Sequence, residues 1–154
     1  MKQLNKSGVE ELNTKIQAQF GVADFFDKKD SLAQTESEGV SFYIKDKQPV
    51  FFIVGEKLVP ALKLLLQRQF LKTIVVDMGA IPFVTKGADV MRPGIVEIDS
   101  SIVSGEFVCV VDKNHHKPLS VSQALFSGTE IKAMQKGKVL KNLHYVGDVM
   151  WKIT

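Results

Sequence analysis

The sequence predicts an α+β protein of two small units. An N-terminal α/β unit over residues 1–71 packs on a mainly β unit over residues 72–154, which closes as a small barrel with two short helices. Three observations predict this. Apolar residues near the N-terminus recur at spacings of three and four, the mark of one buried helix face. From residue 39 the pattern changes to short β-branched and aromatic runs. The second half strings such runs between turns, as small closed barrels do.

Taken in order, Ser7-Gly-Val-Glu10 has the form of a capping box, in which the serine and glutamate side chains each take up a backbone N–H at the helix start. Val9, Leu12, Ile16 and Phe20 then share a face, and Gly21 stops the helix. Residues 22–28 read as a further short helix. Residues 40–44 and 50–54 form a hairpin around Lys45-Asp-Lys-Gln-Pro49, a loop longer than the tightest turns. Residues 56–70 read as a helix with Pro60 in its first turn, where a missing N–H costs nothing. Its face of Leu58, Ala61, Leu62 and Leu65 is expected to lie against the hairpin.

The second unit opens with a short strand over residues 72–77 and a helix over 80–86 that ends at Gly87. Strands over 107–111 and 119–125 flank the polar loop 112–118. Ser127-Gly-Thr-Glu130 repeats the capping-box pattern and opens a helix that stops at Gly137. Residues 139–146 and 149–153 are expected to pair across Gly147-Asp148, a good two-residue hairpin turn.

Composition narrows the function. The chain has 154 residues, 45% hydrophobic and 24% charged, which supports a real core. No apolar run is long enough to span a membrane, and the polar N-terminus lacks the core of a signal peptide, so a cytoplasmic site is expected. The single cysteine, Cys109, lies in a strand pattern and reads as a small buried hydrophobe. Net charge is +3, only mildly basic, and local clustering matters more. Lys132, Lys136, Lys138 and Lys141 fall close together with no acid among them. That patch either meets phosphate or is a solvated helix and turn, and charge alone favours the second.

No catalytic constellation stands out, and neither metal nor cofactor is expected. His115 and His116 share an interstrand loop with no acidic cluster beside them in sequence, and His144 reads as a packed, hydrogen-bonded residue. There is no nucleophile elbow, phosphate loop or dinucleotide fingerprint. What stands out is residues 77–94, DMGAIPFVTKGADVMRPG. Two Gly-Ala pairs bracket a short apolar segment, a Met-Arg-Pro-Gly turn closes it, and Lys86 and Arg92 flank it. Glycine lets main chain approach a ligand closely. This suits recognition of a nucleic acid better than bond-breaking, although glycines that only end a helix would leave the same trace.

The C-terminal half resembles a PUA domain, the module named for pseudouridine synthases and archaeosine transglycosylases. Val75-Val-Asp-Met-Gly-Ala80, Phe83-Val84, Lys86-Gly-Ala88, Met91-Arg-Pro-Gly94, Gly137, Asn142-Leu-His-Tyr145 and Asp148-Val-Met-Trp-Lys152 carry the resemblance over residues 72–154. Phe51-Phe52, Val59-Pro-Ala-Leu62 and Leu64-Leu-Leu66 are similar to the pre-PUA unit of the subfamily of malignant T-cell-amplified sequence and ligatin-type translation factors. The chain is similar to the compact stand-alone archaeal members.

The resemblance implies a pseudo-barrel of about six strands with two short helices. It also implies that RNA binds in a groove between the first helix and a barrel edge, typically a stem with its single-stranded end, often a tRNA acceptor stem with CCA. Carried over, the RNA-binding positions are Gly79, Ala80, Lys86, Gly87, Ala88, Met91, Arg92 and Pro93. Lys86 and Arg92 would neutralise phosphate, Gly87 and Ala88 would present bare backbone, and Met91 would offer an apolar face. Trp151 is assigned to packing in the last strand rather than to base stacking. The expected function is therefore non-catalytic binding of tRNA or small-subunit ribosomal RNA in translation. The ribosome or an initiation-factor-like protein is a further expected partner, no membrane is, and the monomer is the simpler state. Two alternatives belong to other classes. One is an RNA-binding subunit of an RNA-modification enzyme supplied in trans, which a stable complex with a catalytic chain would identify. The other is a protein-docking adaptor acting through the N-terminal domain, which an exposed apolar surface there would favour.

Overall fold

The computed structural model describes residues 1–153, so Thr154, the last residue of the expected second domain, lies outside the described residues. The described residues divide into two compact units, residues 1–61 with Ile153, and Leu62–Lys152. The division falls ten residues before the expected boundary, because residues 62–71 group with the second unit.

The first unit is an antiparallel meander with one long helix. Its elements are β1 (Lys2–Gln3), α1 (Lys6–Phe20), β2 (Leu32–Ser37), β3 (Val40–Lys45), β4 (Gln48–Val54) and β5 (Lys57–Pro60), and the strands lie in sequence order. Val9, Leu12 and Ile16 are the buried face of α1. Its cap is Asn5, whose side chain accepts the Gly8 N–H at 2.7 Å, rather than Ser7. The expected helix over 22–28 is absent. Phe25 and Phe26 are both buried there, packed edge-on around Phe51. The Asn13 side-chain amide holds this loop by bonding both the N–H and the carbonyl of Phe26.

The turn within residues 45–49 is tighter than expected. Glu38-Gly39 and Asp46-Lys47 each join strands with two residues, and all four have positive φ, between 51° and 73°. That geometry matches strand twist, and a lysine at such a position hides it from sequence. The expected helix over 56–70 is also corrected. Residues 57–60 are strand β5, paired with β4, and only α2 (Leu62–Gln67) is helical. Pro60 ends an edge strand, where the ladder needs no N–H from it, and the Gln19 side-chain amide bonds both the N–H and the carbonyl of Leu58. α2 packs on the strand Pro118–Ala124 of the second unit's sheet.

That sheet contains β6 (Thr73–Val76), β7 (Val90–Met91), β8 (Ile95–Ile98), β9 (Phe107–Asp112), β10 (Pro118–Ala124) and β11 (Lys138–Tyr145), in the order β7-β11-β10-β9-β6-β8. Among the described residues of this sheet only β6 and β9 run parallel. The outermost strands, β7 and β8, are joined by the single 3-10 turn Arg92–Gly94, so the sheet must curl until its edges meet. The result is the barrel-like sheet of the expected α+β class. Ile74, Val76, Val110, Ile131, Val139 and Leu140 are among its core residues.

Three helices complete the unit: α3 (Ile81–Val84), α4 (Gly128–Ala133) and α5 (Val149–Lys152). Ser127 and Glu130 make both bonds of the capping box at the start of α4. The expected strand over 149–153 is instead α5. Asp148 prevents the hairpin by accepting the N–H groups of Tyr145 and Trp151, at 2.9 and 2.7 Å, which winds the chain into a helical turn. Trp151 is thus on a helix, and the Lys63 ammonium lies 5.0 Å from its ring centre. Burial pushes the Cys109 thiol up to about 12, so it packs as an inert apolar group. No helix among the described residues is long and apolar enough to cross a membrane.

Candidate nucleic-acid interface

Two turns build one groove in the second unit. Asp77 caps the 3-10 turn Met78–Ala80, its Oδ1 accepting the Ala80 N–H at 3.1 Å. Its own N–H donates to the Gly94 carbonyl at 3.0 Å, which pins this turn against the Arg92–Gly94 turn. A Cβ added at Gly94 would lie 3.4 Å from that of Ala80, so the two turns touch. Between them and α3 lies a groove of about 340 Å³, lined among others by Asp77, Gly79, Ala80, Phe83, Met91 and Pro93. Phe83 is 67% exposed, Met91 51% and, on the adjoining turn, Met78 45%. Three large apolar side chains thus stand exposed in or beside one groove.

The C-terminal end of α3 forms the next wall. Thr85 Oγ1 donates back to the Ile81 carbonyl, and Ala88 N–H returns to the Phe83 carbonyl at 3.0 Å. Gly87 closes the turn at φ +92°, a conformation that disfavours any Cβ. A Cβ there would also stand 2.8 Å from the Tyr145 ring. The bare face of Gly87 therefore meets Tyr145. Asn142 ties this turn to β11, its Nδ2 donating to the carbonyls of Val84 and Ala88, both at 3.1 Å. Its backbone N–H donates to Asp89 Oδ1 at 2.8 Å, and Asp89 Oδ2 faces the Lys138 ammonium at 3.4 Å.

The eight candidate residues thus fall into three places. Gly79, Ala80, Met91 and Pro93 line the groove. Lys86, Gly87 and Ala88 form the turn after α3, with Lys86 exposed. Arg92 lies beside a second cavity of about 460 Å³, with Lys132, Thr73, Glu97 and Asp99. Its Nε donates to the Ile131 carbonyl at 2.8 Å and its Nη1 to that of Ile95 at 3.3 Å, so much of the guanidinium is engaged within the fold. Lys132, Lys136, Lys138 and Lys141 are all exposed. Sequence reasoning missed Phe83 and Asp77 as groove residues. A four-residue helix is too short to show which of its side chains point outward. Among the described residues no group of three or more His, Cys, Asp or Glu could hold a metal ion.

Comparison with known proteins agrees with this architecture. The PUA domain family matches residues 72–146. An uncharacterized protein of Methanocaldococcus jannaschii is 42% identical over 96% of this chain and 93% of its own. Translation machinery-associated protein 20 of Schizosaccharomyces pombe is 30% identical over 85% of this chain and 76% of its own. The human Malignant T-cell-amplified sequence 2 is 32% identical over 60% of this chain and 53% of its own. A crystal structure of a hypothetical protein from Pyrococcus horikoshii is 31% identical and superposes with a TM-score of 0.85, covering 99% of this chain and 98% of that one.

Proposed function

The chain belongs to the PUA-domain family that includes Translation machinery-associated protein 20 and the Malignant T-cell-amplified sequence proteins, and from that premise we propose that it is a non-catalytic RNA-binding protein of translation. In this reading residues 72–154 are the RNA-binding domain and residues 1–71 the pre-PUA domain. The ligand is structured RNA with an unpaired end, a tRNA acceptor end or small-subunit ribosomal RNA, met in the cytoplasm by a monomer. The observation that carries the reading is the groove, where exposed Phe83 and Met91 stand beside bare main chain at Gly79. RNA is read largely through shape, 2′-hydroxyls and splayed bases stacked on flat side chains. Gly79, Ala80, Met91 and Pro93 would meet base and sugar. Lys86, Gly87 and Ala88 would follow the backbone, and Arg92 would use the guanidinium hydrogens that the fold leaves free.

The direct test is binding to tRNA with and without its 3′ CCA across a salt series. Tighter binding of intact tRNA supports the acceptor end as ligand, and equal binding supports a stem or ribosomal RNA. No binding to either at low salt overturns the reading in favour of protein docking.

Two variants probe the groove separately. Phe83→Ala is expected to weaken RNA binding about tenfold, since one stacked base contributes about 1–3 kcal/mol. Its thermal midpoint should hardly move, because the ring is mostly exposed. An unchanged affinity would remove Phe83 from the interface. Lys86→Ala is expected to lower the slope of log affinity against log salt by roughly 0.7–0.9, the signature of one lost phosphate contact. Lys86 is the cleaner electrostatic probe, because replacing Arg92 would also cut its bonds to Ile131 and Ile95. A slope equal to that of the wild type would exclude Lys86 from phosphate contact.

A further inference from the structure

A polar slot in the first unit contains none of the residues assigned to RNA. It holds about 350 Å³ and is lined among others by Lys2, Ser7, Glu11, Lys15, Gln34 and Tyr43. The sheet supplies one wall. Lys2, Gln34 and Tyr43 are register partners across β1, β2 and β3, so their side chains stand in one row on one face. The row continues to Phe51 on β4, whose ring meets that of Phe20, so this is the face that α1 covers. The helix supplies the other wall, where Ser7, Glu11 and Lys15 follow at steps of four along one edge.

Six polar side chains thus converge, and among the described residues none of them makes a hydrogen bond or an ion pair. Tyr43 carries the most weight. It is only 7% exposed, yet its hydroxyl opens into the slot without a partner among the described residues. A tyrosine buried to this degree usually finds one. Burial, helped by the negative charge of Glu11, holds that hydroxyl above the ordinary phenol range, so it keeps a proton to donate. Glu11 and Lys15 stand at the spacing and in the order that favour an ion pair, yet none joins them. The first turn of α1 carries no acid to answer the positive end of the helix.

The slot therefore offers donors and positive charge at the start of α1 and a carboxylate one turn further on. Ser7 and Glu11 are about 6 Å apart along the axis, a separation that lets both ends of a small zwitterion reach a partner. Glu11 opposes a phosphate, and the Tyr43 ring is too buried to stack a base. We propose that this slot binds a free α-amino acid, its carboxylate among Ser7, Lys2 and the Tyr43 hydroxyl and its ammonium at Glu11.

The probes are the common α-amino acids, added singly at millimolar concentration to the isotope-labelled full chain and followed by amide NMR. At least one is expected to shift the amides of Ser7, Glu11 and Tyr43 in a saturable way. Its N-acetyl and carboxamide derivatives, each short of one charge, are expected to bind about tenfold more weakly. Tyr43→Phe keeps the ring and removes only the unpartnered hydroxyl. Its thermal midpoint should hold while affinity falls about tenfold. Glu11→Gln should erase the difference between the free amino acid and its N-acetyl derivative. The inference is overturned if no amino acid gives a saturable shift, or if binding ignores the loss of either charge or survives Tyr43→Phe undiminished. A stronger response to inorganic phosphate than to every amino acid also overturns it. None of these outcomes bears on the RNA-binding reading, whose residues lie in the second unit.

Discussion

Gly128→Ala is expected to destabilise the second unit by about 3 kcal/mol, at the top of the usual range for overpacking. Gly128 is the first residue of α4, directly after the capping Ser127. A methyl group there would stand 2.2 Å from the Asp99 carbonyl oxygen and 3.0 Å from the Ser100 Cα, both main-chain atoms. Neither atom can give way cheaply. Asp99 holds its own loop by accepting the Ser101 N–H and hydroxyl, its carbonyl accepts the Ile102 N–H, and the Gly128 N–H donates to the Ile102 carbonyl. The strain would pass to α4 and from there towards the groove, because the Ile131 carbonyl anchors Arg92. Urea unfolding measures the loss. Gly79→Ala is the control, since its nearest contact would be an ordinary 3.4 Å to Asp77 Oδ1. A Gly128→Ala midpoint level with that of Gly79→Ala would mean that the 99–101 loop yields easily, and that α4 is not held as tightly as its bonds imply.

Gly128 also illustrates what the sequence conveyed. The capping box around it is local, so its residues announce the helix in one dimension and the structure makes both bonds. The same holds for the buried face of α1, for strands β9 and β10 and for the burial of Cys109, each read from period or from a short motif. The errors arise where the deciding contact is distant or carries no sequence label. In residues 22–28, where no helix forms, the Asn13 side chain takes the N–H and the carbonyl of Phe26, and Phe25 and Phe26 join the Phe51 cluster. β2 was unseen because its polar outer half, from Gln34 to Ser37, shows little alternation until it pairs with β3. Leu58 belongs to β5 because β4 and Gln19 claim its backbone. In the site, the glycine and proline turns were visible because those residues have few other uses. Phe83 read as an ordinary helix residue and Asp77 as the end of a strand. Only the bond between the Asp77 N–H and Gly94, seventeen positions away, makes them walls of one groove.

His144→Leu is expected to cost about 3 kcal/mol, more than one side-chain hydrogen bond contributes alone, because it strands two partners at once. His144 is almost wholly buried on β11. Its Nε2 accepts the Leu62 N–H at 3.0 Å, so that nitrogen carries no proton, and the ring hydrogen sits on Nδ1 and donates to Asp148 at 2.9 Å. One neutral tautomer thus caps the first N–H of α2 and braces the carboxylate that starts α5. Leucine fills a similar space but leaves that N–H buried and unpaired. Loss of exchange protection at the Leu62 amide should accompany the loss of stability. The deficit should also depend on pH. Burial works to raise the Asp148 carboxyl, but hydrogen bonds from the His144 side chain and from the Trp151 and Tyr145 N–H groups overcome it and hold the group below the ordinary carboxylate range. A carboxyl held low in the folded state contributes stability that is complete above its unfolded value of about 3.9 and is lost as pH falls through the folded value. His144 supplies the largest of the opposing bonds, so the variant forgoes much of that contribution. The gap between wild type and variant should therefore be widest above about pH 4 and narrow in acid. A gap under about 1 kcal/mol at neutral pH, with the Leu62 amide still protected, would mean that water or a shifted backbone replaces the imidazole. Tyr145 would then be free to hold its place beneath Gly87 without the Asp148 brace.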